Sequence, residues 1–398
     1  MSKKKESKFH LQMNNQKSYI IFIVIKSLKN NKPPMRIALA ILIGLHGVIH
    51  LFGFLKAFGI IEFNAIAQPI SKSFGMLWLV AFILLSVTLS LLIINFRYWW
   101  IIGIAGVMLS QFLIFNYWNE AKFGTILNLI ILACALIAFS TLNFQRKITA
   151  EIDQLLTQSQ QPEKILVTEQ MISTLPEAVQ KWLLSSGIVG QELIQNIYLE
   201  QNIKMLMKPE QRKWTTARAK QYFTVDPPGF IWSVKLNIRP GISIVGRDKF
   251  VAGKGEMIIK LFSIFPIAKA QGSPKIDQST LQRYLAEIVW FPSAATSSYI
   301  TWEAIDEFSA RATMNYKGTK ASGVFYFDNH GNFKKFIAMR YKEASDLKPT
   351  KWIVSATKIE KRNGISIPVA SKVSWKLDSG DWTWLKLEIS ELKYNCIK

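Results

Sequence analysis

Arg283, Tyr284, Glu287 and Trp290 place a guanidinium, a phenol, a carboxylate and an indole within one helical run, Gln282 to Pro292, which stops at a proline that cannot continue a helix. Arg283 and Glu287 stand four apart, the spacing of an ion pair on one helix face. On a solvated surface such a pair only braces the helix. At the mouth of a cavity it would orient a polar head group, with Tyr284, Trp290 and Trp232 along the apolar wall. Asp226, ahead of Pro227 and Pro228, reads as a turn-forming residue or as a carboxylate at a sheet rim. These six are the candidate ligand-binding residues, and none can be assigned a catalytic step.

Other chemistries lack their motifs. The sequence has no Gly-x-Ser-x-Gly, no Walker loop, no Cys-x-x-Cys and no His-Glu-x-x-His, so neither a metal site nor a cofactor is expected. Gly253-Lys254-Gly255 is too short to cradle a phosphate and reads as a hairpin turn. His330 is the only histidine after His50 and falls in a turn, which argues against a Ser-His-Asp hydrolase. Cys134 and Cys396 stand far apart and imply no disulfide framework.

The elements around the central helix, read as Thr280–Trp290, are strands. Short runs rich in Val, Ile, Thr and aromatics, separated by Gly, Pro and Asn, recur from Ile194 to Leu261 and from Tyr299 to Tyr394. Val373, Trp375 and Leu377 alternate with Lys372, Ser374 and Lys376, which gives the sheet one apolar and one wet face. Trp302, Trp352, Trp375, Trp382 and Trp384 read as packing. A meander of this kind must curl or be covered. The reading is a curved antiparallel β half-barrel covered by one helix, with an apolar cavity beneath it. Ahead of it, Thr168, Pro176 and Gly187 punctuate a helical pattern.

The N-terminal part is of another class. The chain is 49% hydrophobic and 19% charged, and the apolar residues concentrate between Ile37 and Leu142. Four runs, Ile37–Leu55, Phe74–Ile94, Tyr98–Phe115 and Gly124–Leu142, approach the roughly 20 residues that span a bilayer. The formal charge of +22 suggests nucleic acid or anionic lipid. The lysines before Arg36 sit beside the first apolar run, and no Arg-rich helix or zinc-finger spacing appears, so the bilayer is the expected partner and nucleic acid is not. Arg97, Arg146 and Lys147 on one side, against Lys56, Lys72 and Lys122 offset by Glu62 and Glu120 on the other, place the N-terminus and the β domain in the cytoplasm of a bacterial inner-membrane protein. His46 and His50 share a helix face within the first run. They read as interhelical hydrogen-bonding groups or as a metal or haem ligand pair, with the former favoured by the close packing that Gly44 and Gly47 allow.

The expected organisation is a basic arm (1–36), a four-helix transmembrane domain (37–145), a linker (146–167) and an α+β soluble domain (168–398). The segments Asp226–Trp232, Arg283–Pro292 and Trp302–Asp306 resemble a bacterial family of unknown function, the DUF6544 type, over roughly Leu175–Tyr394. In pattern alone the meander with its covering helix resembles the LolA and LolB half-barrels, and the four-span layout is similar to DoxX-like membrane proteins. The family resemblance implies no activity. Three functions follow: a tethered module that binds a lipid or other hydrophobic ligand, an enzyme on a membrane-soluble substrate using Arg283, Glu287 or Asp226, and a docking scaffold for a protein partner.

Overall fold

The computed structural model describes residues 34–63, 65–159, 164–239 and 241–395. The basic arm before residue 34, residues 160–163 of the expected linker and Cys396 lie outside the described residues. The chain divides into two compact units, Met1–Phe139 and Ser140–Lys398.

In the first unit, helices α1 (Pro34–Ala57), α2 (Lys72–Ile93) and α3 (Trp99–Asn116), a short α4 (Trp118–Ala121) and the start of α5 (Gly124–Thr157) follow one another. Of these, α1, α2, α3 and α5 are long and apolar enough to cross a membrane. Ser71 caps α2 by accepting from the Phe74 N–H at 3.3 Å. A Cβ at Gly53 would lie 2.3 Å from the Trp78 ring, so the indole packs directly on the α1 backbone.

The fourth apolar helix does not stop at Leu142. Residues 146–157, the first part of the expected linker, continue α5 to Thr157, because neither Gly nor Pro interrupts them. The apolar stripe of this end of α5, Phe144, Ile148, Ile152 and Leu155, is buried against Ile231 and Val245 of the sheet. Glu151 on the same segment meets the fully buried Arg247 at 3.2 Å and Lys249 at 3.1 Å, and Glu256 holds the same two cations at 2.6 and 3.1 Å.

The second unit goes on with α6 (Glu169–Ile172), capped by the Thr168 hydroxyl, and α7 (Glu177–Ser186). Pro176 stands at the N-cap of α7, and Gly187 ends it in the left-handed conformation at φ 75°. The strands are β1 (Asn196–Met205), β2 (Thr215–Thr224), β3 (Gly229–Arg239), β4 (Ile242–Val251), β5 (Lys254–Leu261), β6 (Phe265–Gln271), β7 (Ile300–Asp306), β8 (Ser309–Tyr316), β9 (Thr319–Phe327), β10 (Phe333–Arg340), β11 (Thr350–Arg362), β12 (Ile365–Leu377) and β13 (Gly380–Tyr394). They form one sheet in the order β6-β5-β4-β3-β2-β1-β13-β12-β11-β10-β9-β8-β7. Each meander is antiparallel throughout, and the pairing of β1 with β13 joins the two. The edges, β6 and β7, do not pair with each other.

Helix α8 (Pro274–Glu287), followed by two 3₁₀ turns, carries the chain from one edge to the other. It starts at Pro274 rather than at Thr280, with Ser273 as N-cap and proline in the first turn. Asp277 in that turn accepts from the Gly255 N–H at 2.8 Å and the Lys254 ammonium at 2.9 Å. The Gly253 turn joins β4 to β5, and Gly255 lets the helix approach: a Cβ there would lie 2.4 Å from Thr280 Oγ1. The sheet has one strand more than the pattern indicated. β6 contains Pro266 and is largely exposed, so its structure comes from pairing with β5 rather than from its own sequence.

One face of the sheet forms the core. Ile197, Leu199, Ile203, Val373 and Trp375 are buried there under Leu281, Tyr284 and Leu285 of α8, while Lys372 and Lys376 stand on the opposite, wet face.

Candidate functional site

Arg283 lies between α8 and the sheet, not on a helix surface. Its Nε donates to Glu287 Oε1 at 2.9 Å and its Nη1 to Asp248 Oδ2 on β4 at 2.6 Å. The side chains of Arg283 and Glu287 are only 16% and 12% exposed. Gln221 of β2 donates to the second Glu287 oxygen at 2.8 Å, and the Trp232 indole of β3 donates to Gln201 of β1 at 2.9 Å. The guanidinium stacks over Phe230 and Trp232 at 4.9 and 5.1 Å. Burial opposes the Arg283 cation, but Glu287 and Asp248 outweigh it and raise its pKa. Burial also raises the Glu287 pKa, against the pull of Arg283 and Gln221. Arg340 of β10 stacks on Trp352 at 4.5 Å, and burial, with the like charge of Arg283, lowers its pKa to about 10.

The structure thus brings together Arg283, Glu287 and Trp232 and adds Asp248, Gln221 and Gln201. Tyr284 and Trp290 lie elsewhere in the packed core. The Tyr284 hydroxyl donates to the Thr224 carbonyl at 2.9 Å, and the Trp290 indole donates to the Pro368 carbonyl at 3.0 Å. Asp226 is exposed in the turn between β2 and β3. The next-door Val225 carbonyl accepts from Tyr299, whose pKa burial raises to about 12. Trp302, Trp352, Trp375, Trp382 and Trp384 all pack against the core, as their pattern suggested.

A second site, missed in the sequence, lies across the middle of the sheet: an open groove of about 900 Å³ whose lining includes Lys204, Arg218, Lys235, Lys372, Lys386 and Glu388. Register explains the cluster. Lys372 of β12 faces Lys386 of β13, which faces Lys204 of β1. In the next row Glu388 faces Asn202, which faces Arg218, which faces Lys235. Directly opposed residues share a face, and Ile203 and Leu387, their chain neighbours, point into the core, so the row belongs to the wet face. Among the described residues none of these five cations forms an ion pair. Lys386 lies 4.8 Å from the Trp214 ring. No sequence signal marks this groove, because its four lysines lie on four strands, from Lys204 to Lys386, and only pairing assembles them.

The fold and these sites define a class: an open antiparallel sheet, its two edges linked by one helix, preceded by four helices of membrane-spanning length. The chain belongs to a family of unknown function, DUF6920, whose model matches residues 173–394. The matching model is that of DUF6920, and not that of the DUF6544 type which the motifs had suggested. No curated protein matches the chain. Among solved structures it is similar to a DUF1329 family protein from Desulfovibrio piger, with 12% identity over 58% of this chain and 95% of that one and a TM-score of 0.31. It is similar also to a LolA superfamily protein from Nitrosomonas europaea, with 9% identity over 59% and 96% and a TM-score of 0.28. A third, a β-barrel-like DUF1849 protein from Brucella abortus, shares 9% identity over 50% and 98% with a TM-score of 0.22.

Proposed function

We propose that this chain is a membrane-anchored binding protein whose β domain holds an amphiphile with an anionic head, of the phospholipid kind, in the basic groove. The observation that carries the reading is the cross-strand row Lys372, Lys386, Lys204. Like charges set directly opposite one another weaken a sheet, and none of the three has a counter-ion among the described residues. A phosphate or carboxylate in the row would remove that repulsion. The volume suits a ligand of lipid-head size, and the lysine stems supply apolar walls.

The role first assigned to Arg283, Glu287 and Trp232 changes with this proposal. Their polar atoms already serve one another, so they hold α8 on the sheet, while Tyr284 and Trp290 pack elsewhere in the core. The enzyme reading gains no support from Glu287, which is engaged by Arg283 and Gln221. The anchor belongs in the bacterial cytoplasmic membrane, with the β domain on the cytoplasmic side, on the strength of the basic loops.

The test is lipid analysis of the purified full chain, followed by titration with short-chain phosphatidylglycerol and phosphatidylcholine. Preferential binding of the anionic lipid, weakened by salt and by Lys204→Ala with Lys386→Ala, is the expected result. Equal affinity for both lipids, unchanged by the substitutions, would exclude the groove as the site.

A further inference from the structure

His46 and His50 are almost fully buried in the helical unit, and they meet at one hydroxyl. Ser110 Oγ of α3 lies 3.1 Å from His46 Nε2 and 2.8 Å from His50 Nε2. His46 Nε2 also lies 2.9 Å from Asn128 Oδ1 of α5. Asn128 Nδ2 donates to Gln111 Oε1 at 3.0 Å, and Gln111 Nε2 donates to Thr125 Oγ1 at 3.1 Å.

Counting donors and acceptors assigns the protons. The Asn128 amide nitrogen is committed to Gln111, so its oxygen faces His46 and can only accept. His46 therefore carries its proton on Nε2. The single Ser110 proton is then free to go to His50 Nε2, which places the His50 proton on Nδ1. Two atoms are left over: a bare lone pair on His46 Nδ1 and an N–H on His50 Nδ1, both buried and without a hydrogen-bond partner among the described residues. The two rings are 4.9 Å apart, and the Trp78 ring lies 5.0 Å from His50. Among the described residues no carboxylate, lysine or arginine bonds to either imidazole. The leftover acceptor and donor, on the far sides of a pair bridged by one hydroxyl, are the two ends that a proton path through that hydroxyl needs.

We propose that His46, Ser110 and His50 form a proton relay within the helical unit, independent of the ligand in the groove. A proton arrives at His46 Nδ1. The His46 Nε2 proton passes to Ser110 Oγ as the Ser110 proton passes to His50 Nε2. His50 is then the imidazolium and releases its Nδ1 proton. One proton enters, one leaves, and the chain of hydrogen bonds has reversed its polarity. Asn128 Oδ1 then faces the His46 Nε2 lone pair, which favours the return step: a proton taken up at His50 Nδ1, the His50 Nε2 proton passed to Ser110 as the Ser110 proton passes to His46 Nε2, and one released from His46 Nδ1.

The test is nitrogen NMR of the ¹⁵N-histidine-labelled full chain in phospholipid nanodiscs, with the two rings assigned by His46→Gln and His50→Gln. At neutral pH His46 is expected as the Nε2–H tautomer and His50 as the Nδ1–H tautomer. On acidification both rings should change at one midpoint, His50 becoming doubly protonated while His46 exchanges tautomer. Ser110→Ala should abolish the His46 tautomer exchange, and Ser110→Thr, which keeps the hydroxyl, should preserve it. Circular dichroism separates loss of relay from loss of fold in the alanine variant; if that variant unfolds, the wild-type tautomers and the threonine variant decide. Both rings resting in one tautomer, or a His46 exchange that survives Ser110→Ala, overturns the relay.

Discussion

Arg283 serves two carboxylates at once, and that decides what its loss costs. Replacing it by alanine leaves Asp248 and Glu287 without the cation that bridges them. Breaking a buried pair from one side costs about 3–5 kcal/mol, and urea unfolding of the full chain should show a loss of that order. Lysine should rescue little, because the fork geometry that reaches two acids is lost. Glu287→Gln removes one charge but keeps a partner for Gln221, and its cost should be smaller. The Glu256 carboxyl gives a pH signature. Burial alone would raise its pKa, but Arg247 and Lys249 overcome this and bring it to about 2 from the ordinary 4.5. A depressed folded-state pKa contributes stability that is complete above the unfolded value and is lost as pH falls through the folded one. Stability should therefore decline as pH falls from about 4.5 towards 2, and Glu256→Gln should flatten that part of the urea-midpoint profile.

At the scale of elements, the seat of α8 on β5 depends on the absence of one methyl group. Gly255→Ala puts a Cβ 2.4 Å from Thr280 Oγ1 and 3.0 Å from the Ile276 carbonyl. The strain of such overpacking is about 1–3 kcal/mol. Thr280→Ala in the same chain should recover part of it, but not the part owed to the backbone carbonyl, and a double-mutant cycle on unfolding midpoints measures the split. The signals that could be read locally were local ones. Thr168, Pro176 and Gly187 punctuate α6 and α7 as written, and the four apolar helices stand out by length. The Arg283–Glu287 spacing revealed half of its network. Asp248 and Gln221 were hidden because they arrive from strands whose register no single segment determines. β6 was hidden by Pro266, and the early start of α8 by an anchoring contact to Gly255. The run of α5 past Leu142 was obscured because its hydrophobicity falls while its helix propensity does not.

For the whole molecule, the basic groove sets stability against binding. Lys386→Gln removes the middle charge of the lysine row and should stabilise the ligand-free protein by about 0.2–1 kcal/mol, the scale of an opposed like-charge pair. The same substitution should weaken capture of an anionic lipid, so thermal midpoint and affinity should move in opposite directions, as they do where function is maintained against stability. The row could not have been found by reading along the chain: Lys204 and Lys372 become near neighbours only because β1 pairs with β13.

That pairing also orders events in time. The sheet's central seam joins its first strand to its thirteenth, so during synthesis β1 waits, one side unpaired, while almost the entire domain is translated. The meander from β1 to β6 can form early. The groove cannot, because half of its lysines belong to β12 and β13. Closing so long a loop is slow, and until it closes the nascent domain has an open edge where the finished one has its middle. A chain stalled before Gly380 would retain every candidate residue of the α8 network yet have no binding groove.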